Sequence, residues 1–123
     1  MATLENVEHY LIQLEYSFES VEPHMWIVRN TADVVVTYEP PLVDFRMKLM
    51  EIPQKKREEF FKLLLEFNAM SMIHGAYGIE EDNVVLIDTL QSEHLDFSEF
   101  QASLDALLLA STQDYQKLKA FRD

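Results

Sequence analysis

Apolar residues at Leu4, Val7, Leu11, Leu14 and Phe18 recur alternately three and four positions apart, while Glu5, Glu8, Gln13 and Glu15 fall between them. That period puts one apolar stripe on one helical face. Thr3 is suited to cap the start, and Pro23 blocks continuation. The spacing therefore predicts a helix that includes Phe18. From Met25 the period shortens to two. Met25 to Arg29 reads as a strand, Asn30 to Asp33 as a turn, and the β-branched run Val34 to Tyr38 as a second strand. Pro40 and Pro41 end it, because proline donates nothing to a ladder. Phe45, Met47 and Leu49 then alternate with Asp44, Arg46 and Lys48, as in a strand with one solvated face.

Pro53 suits a helix start, and residues 54–70 carry a main stripe of Phe60, Leu63, Leu64 and Phe67. Phe61 and Leu65 widen that stripe beyond half the circumference. His74-Gly75 ends the helix. Ala76 to Glu80 and Val84 to Thr89 read as strands joined by Glu81-Asp82-Asn83. Asp96 and Ser98 both offer caps for a last helix; with Asp96 as the cap, Glu99 closes a capping box and Leu95 staples onto Phe100. Its apolar face continues through Leu104, Leu107, Leu108, Tyr115 and Leu118. The predicted order is α-β-β-β-α-β-β-α in one domain over residues 1–123. Strands in hairpins, segregated from helices, define an α+β fold with a twisted antiparallel sheet and helices packed on it.

Composition narrows the function classes. A chain of 123 residues with 48% hydrophobic residues sustains a packed core. It has no cysteine, so disulfides and thiolate metal sites are excluded. The formal net charge of −12 repels phosphate backbones and anionic lipid, so neither nucleic acid nor membrane is an expected partner. The amphipathic, acidic start lacks the form of a signal peptide, and no apolar run approaches a bilayer span. A cytoplasmic location is expected.

The wording of the segment from Pro53 to Leu90 resembles the YbjN family and the wider type III secretion chaperone-like fold. The matching residues are Pro53, Leu63-Leu64-Leu65-Glu66-Phe67-Asn68, Gly75-Ala76-Tyr77-Gly78-Ile79 and Glu81-Asp82-Asn83-Val84-Val85-Leu86, followed by a long amphipathic C-terminal helix. The resemblance implies a small, acidic, non-enzymatic protein, often dimeric. Secretion chaperones of this fold hold extended client segments against apolar patches and sheet edges. YbjN-like proteins are described as regulators or chaperone-like proteins. Asn83 stands where such proteins often have glycine.

No catalytic motif competes with that expectation. His9, His24, His74 and His94 show no paired ligand spacing, and Glu93-His94-x-Asp96 reads more simply as a turn and a cap. Glu80-Glu81-Asp82 lacks the spaced ligands of a calcium loop. The serines have no nucleophile-elbow context, and two glycines make no phosphate loop. Lys55-Lys56-Arg57 is the only basic cluster, with Glu58 and Glu59 directly after it; a solvated first turn is its simplest reading. No cofactor or metal is expected. An enzyme would draw on Asp44, Asp88 and His74.

The leading expectation is a protein-binding module acting as a homodimer on extended segments of a protein partner. Phe61, Leu65, Val85 and Ile87 are the expected dimer interface, because one sheet face cannot cover so wide an apolar helix. Trp26, Ile27 and Val35 are the expected partner-binding residues, although core packing is the simpler role for Trp26. The alternative is a small-ligand-sensing regulator with a pocket between the sheet and the last helix.

Overall fold

Thr3 opens α1 (Leu4–Leu14) through a reciprocal cap. The Asn6 N–H donates to Thr3 Oγ1 at 3.2 Å, and the Thr3 N–H donates to Asn6 Oδ1 at 2.9 Å. The computed structural model describes residues 2–123. α1 stops one turn earlier than its apolar stripe suggests. Glu15 takes a left-handed conformation with φ 63°, and its N–H closes on the Ile12 carbonyl at 3.2 Å.

The chain then enters a strand, β1 (Ser17–Glu22), that the periodicity hid. Phe18 lies in β1 opposite Val28 and not on the helix. β1 is an edge strand whose residues are nearly all exposed, so it carries no apolar alternation of its own. Leu14 and Phe18 are four apart, and helical periodicity extended across the boundary by that coincidence. The order before the second helix is therefore α-β-β-β-β, one strand more than expected.

Next come β2 (Met25–Arg29), β3 (Asp33–Glu39) and β4 (Leu42–Glu51), an antiparallel meander. α2 (Arg57–Met70) follows, then the hairpin β5 (Ala76–Glu80) and β6 (Asn83–Gln91). α3 (Phe97–Gln113), α4 (Tyr115–Leu118) and a 3-10 turn (Lys119–Phe121) complete the chain. α2 begins at Arg57 and not at 54, because Lys56 is left-handed with φ 54° and the Gln54 N–H turns to the Asp123 carboxylate. The turn between β5 and β6 places its left-handed residue at Glu81, φ 55°. Asp96 caps α3 by accepting the Glu99 N–H at 2.8 Å.

The six strands run in the order β1-β2-β3-β4-β6-β5, all antiparallel. β6 inserts between β4 and β5, so the last hairpin is sewn to the meander along β4. One sheet face packs under the helices. Val28, Val36, Phe45 and Leu86 are fully buried there, and the Phe45 and Phe100 rings meet at 5.1 Å. A register shift between Lys48 and Met50 lets Met47 and Met50 both point inward. Gly75, at φ +80°, leads from α2 into β5 hard against the Ile87 carbonyl.

Candidate protein-binding surfaces

Two apolar surfaces carry the expected site residues that stay outside the core. The first is the corner between α2 and β5. Leu65 is 68% exposed and Ile79 is 50% exposed, with Phe61 half-buried beside them. Together with Leu64 and Tyr77 they line a groove of about 240 Å³. Asn68 and Tyr77 fix its floor. Tyr77 also donates its hydroxyl to Asp114 Oδ2 at 2.7 Å. Burial, and then that hydrogen bond to a carboxylate, push the Tyr77 phenol well above the usual tyrosine range.

The second surface is the sheet face without helices. Residues paired across neighbouring strands share a face, so the register defines a row: Ile27 opposite Val35, Val35 opposite Arg46, and Arg46 opposite Ile87. Ile27, Val35 and Ile87 are half-buried. Arg46 interrupts the row. Its Nε donates to Asp44 Oδ2 at 2.9 Å, and its guanidinium spans β6 to pair with Glu80 on β5. Val85, on the strand so crossed, is only 5% exposed. Met25, Val35, Thr37, Asp44, Val85 and Thr89 border a shallow concavity of about 730 Å³ on this face.

The expected site residues divide between these surfaces. Phe61 and Leu65 lie at the α2–β5 corner on the helical side. Val85 and Ile87 lie on the open face, so the four do not form one patch. β6 is apolar on both sides, and sequence alone does not say which side a given residue takes. Ile27 and Val35 are open-face neighbours. Trp26 is a correction: it is 1% exposed, belongs to the core cluster, and offers nothing to a partner. Ile79 was missed. It is two residues from Tyr77 and shares its face, a signal present in the alternation.

The remaining titratable candidates do not converge. Asp44 is on the open face, where it also accepts Thr89 Oγ1–H at 3.0 Å. Asp88 pairs with the buried Phe45 on the opposite face, and His74 is exposed in the loop before Gly75. Among the described residues no three His, Asp or Glu side chains are grouped as metal ligands, and no helix is long and apolar enough to cross a membrane. The sheet–α3 interface, where the ligand-sensing alternative placed its pocket, is filled by Phe100, Leu104 and Leu107, each fully buried.

An antiparallel six-stranded sheet covered on one face by helices, with α2 against its β5 edge, is the fold of type III secretion chaperones. The chain belongs to the CesT_Tir_1 family of type III chaperones, whose family model matches residues 1–122. Solved structures similar in fold include the heterodimeric ExoU–SpcU complex of the Pseudomonas aeruginosa type III secretion system. That match has a TM-score of 0.72 and 14% identity, covering 95% of this chain and 98% of that one. The Yersinia pestis chaperone SycH, in complex with a fragment of YscM2, matches with TM-score 0.65 and 14% identity over 89% of this chain and 97% of that one. YbjN of E. coli matches with TM-score 0.68 and 14% identity over 94% of this chain and 93% of that one. No curated protein sequence matches the chain significantly.

Proposed function

We propose that this protein is a non-catalytic, chaperone-like binding module that acts as a homodimer in the cytoplasm and holds an extended segment of a protein partner. The observation that carries the reading is the open sheet face. There the apolar row Ile27, Val35 and Ile87 has no helix over it, whereas Trp26, Val36 and Phe45 on the other face are fully buried. An extended chain laid along such a surface buries alternate side chains in its hollows. The α2–β5 corner, with Phe61, Leu65 and Ile79, supplies the self-association surface. Family membership and the chaperone–partner complexes among the structural neighbours support the same assignment.

The test pairs two measurements. Partners captured by the tagged protein from its native lysate are compared with those captured by an Ile27→Glu/Val35→Glu variant of unchanged circular dichroism. The reading expects a protein retained by the first and lost by the second. Identical capture by both, or a strict monomer in light scattering across micromolar concentrations, removes the client site or the dimer respectively.

A further inference from the structure

The basic residues of this acidic chain are segregated. No Lys or Arg precedes Arg29, and none lies between Lys62 and Lys117. Arg29 and Arg46 are the two basic residues held in ion pairs, with Glu19 and Asp33, and with Asp44 and Glu80. Among the described residues the other eight of the ten reach no carboxylate within 4.0 Å. Seven of those eight lie on α2, the residues just before it, or the C-terminal turns packed against it; Lys48 is the eighth. The packing is direct, with the Phe60 and Phe121 rings 5.4 Å apart.

The densest part is the corner where the chain enters α2. Lys55 and Lys56 meet Arg122 there, all exposed, with Arg57 and Lys119 adjacent to them in sequence. Gln54, Lys55, Lys56, Phe121 and Arg122 line a concavity of about 410 Å³. A carboxylate already sits in it. Both side-chain oxygens of Asp123 lie 3.1 Å from the Gln54 N–H. Glu51, Glu58 and Glu59 are the nearby acids in sequence, and none pairs with these cations.

We infer that this corner is a second docking site, for an Asp/Glu-rich segment of a protein partner, and that Asp123 occupies it in place of the partner's carboxylate. The site lies apart from both apolar surfaces and does not depend on their role. Unpaired exposed cations cost little to leave in water, but they gain when an opposite charge arrives, chiefly in encounter rate and specificity. The net charge of −12 selects the kind of anion. A long polyanion is repelled by the rest of the surface, whereas a short acidic segment confined to the corner is not. The Gln54 N–H, which Asp123 engages, is a donor for a carboxylate at the edge of the concavity, while the cations around it stay free for further acidic side chains.

The probe is a fluorescent hexaglutamate peptide, titrated by anisotropy at about 0.1 M salt, where a screening length of about 10 Å removes the distant acidic surface but not the local cations. Expected is saturable binding that weakens steeply with salt. The triple variant Lys55→Glu/Lys56→Glu/Arg122→Glu is expected to bind at least about tenfold more weakly. Arg29→Glu, on another face, is expected to leave binding unchanged. Asp123→Asn removes the internal competitor and is expected to tighten binding about threefold. Absence of binding at about 0.1 M salt, equal binding by the triple variant, or no tightening in Asp123→Asn overturns the inference. So does a single-stranded DNA oligomer, or inorganic phosphate, that binds as well as the peptide. Because the altered side chains are exposed, an unchanged melting temperature separates loss of binding from loss of fold.

Discussion

Asn68 on α2 closes the outer edge of β5 at Tyr77: its Oδ1 accepts the Tyr77 N–H at 2.7 Å, and its Nδ2 donates to the Tyr77 carbonyl at 3.2 Å. One side-chain amide thus makes both hydrogen bonds that a seventh strand would make at that residue. Tyr77 is unable to serve as a template for an added strand, so the proposed self-association at this corner rests on side chains such as Leu65 and Ile79. Asn68→Ala orphans a backbone donor and an acceptor at a largely buried residue. It is expected to lower stability by about 1–3 kcal/mol, measured by urea denaturation. Asn68→Asp keeps the acceptor and loses the donor, and is expected to fall between that variant and the wild type.

Leu65 contributes little to the monomer's core, being 68% exposed. Leu65→Asp is therefore expected to change monomer stability by no more than about 0.5 kcal/mol. If α2 and β5 form the dimer contact, the same change raises the dimer dissociation constant by at least about tenfold in sedimentation equilibrium. Unaltered dimerisation would place the contact elsewhere.

The two glycines are expected to respond oppositely to alanine. A Cβ on Gly75 would lie 2.7 Å from the Ile87 carbonyl oxygen and 2.8 Å from Leu107 Cδ2, at φ +80°. Gly75→Ala should destabilise by about 1–3 kcal/mol or more. At Gly78 the nearest atom would be Ile87 Cδ1 at 3.6 Å, an ordinary contact. Gly78→Ala should be neutral or slightly stabilising. Parallel thermal melts decide between these outcomes.

Alkaline pH tests the Tyr77–Asp114 link. The phenol is held neutral in the folded state, so its folded pKa lies above the unfolded value of about 10. The associated stability is fully present below about pH 10 and is lost as pH rises toward the folded pKa. Over that interval unfolding releases one extra proton, which lowers stability by about 1.4 kcal/mol per pH unit. Tyr77→Phe should remove this component of the alkaline slope and cost about 1–2 kcal/mol at neutral pH through the lost hydrogen bond. An unchanged slope in the variant would assign the alkaline transition to other groups.

Sequence pattern was most legible where burial was one-sided. β2 and β5 fall at the expected residues, and Thr3 and Asp96 cap their helices as expected, whereas α2 ends at Met70, ahead of the expected stop at His74-Gly75. β1 was illegible because an exposed edge strand has no alternation to read, and because its start is set by the conformation of Glu15. The surfaces were harder. Val84, Val85, Leu86 and Ile87 are all apolar, so the face that Val85 takes depends on register with β4 and not on composition. Trp26 was expected at the partner surface even though core packing was its simpler role, and the covering helices decide in favour of the core. The basic corner brings together residues some 65 positions apart in sequence (Lys55, Lys56 and Arg122), so no local window displays it.

Inserting β6 between β4 and β5 also has a kinetic consequence. The β4–β6 ladder runs from Leu42 opposite Gln91 to Glu51 opposite Asn83, joining segments separated by the whole of α2 and β5. The other ladders close short hairpins. Loop-closure entropy therefore concentrates in one seam, and the seam must zip before α3 finds a complete floor to pack on. Stopped-flow refolding of alanine variants along Phe45, Met47 and Leu86 should show slowed folding, whereas Phe18→Ala in the peripheral hairpin should mainly hasten unfolding. While the seam is open, the apolar inner faces of β4 and β6 stand exposed to other chains. The interval before zipping is thus the moment at which a nascent copy is most prone to aggregate.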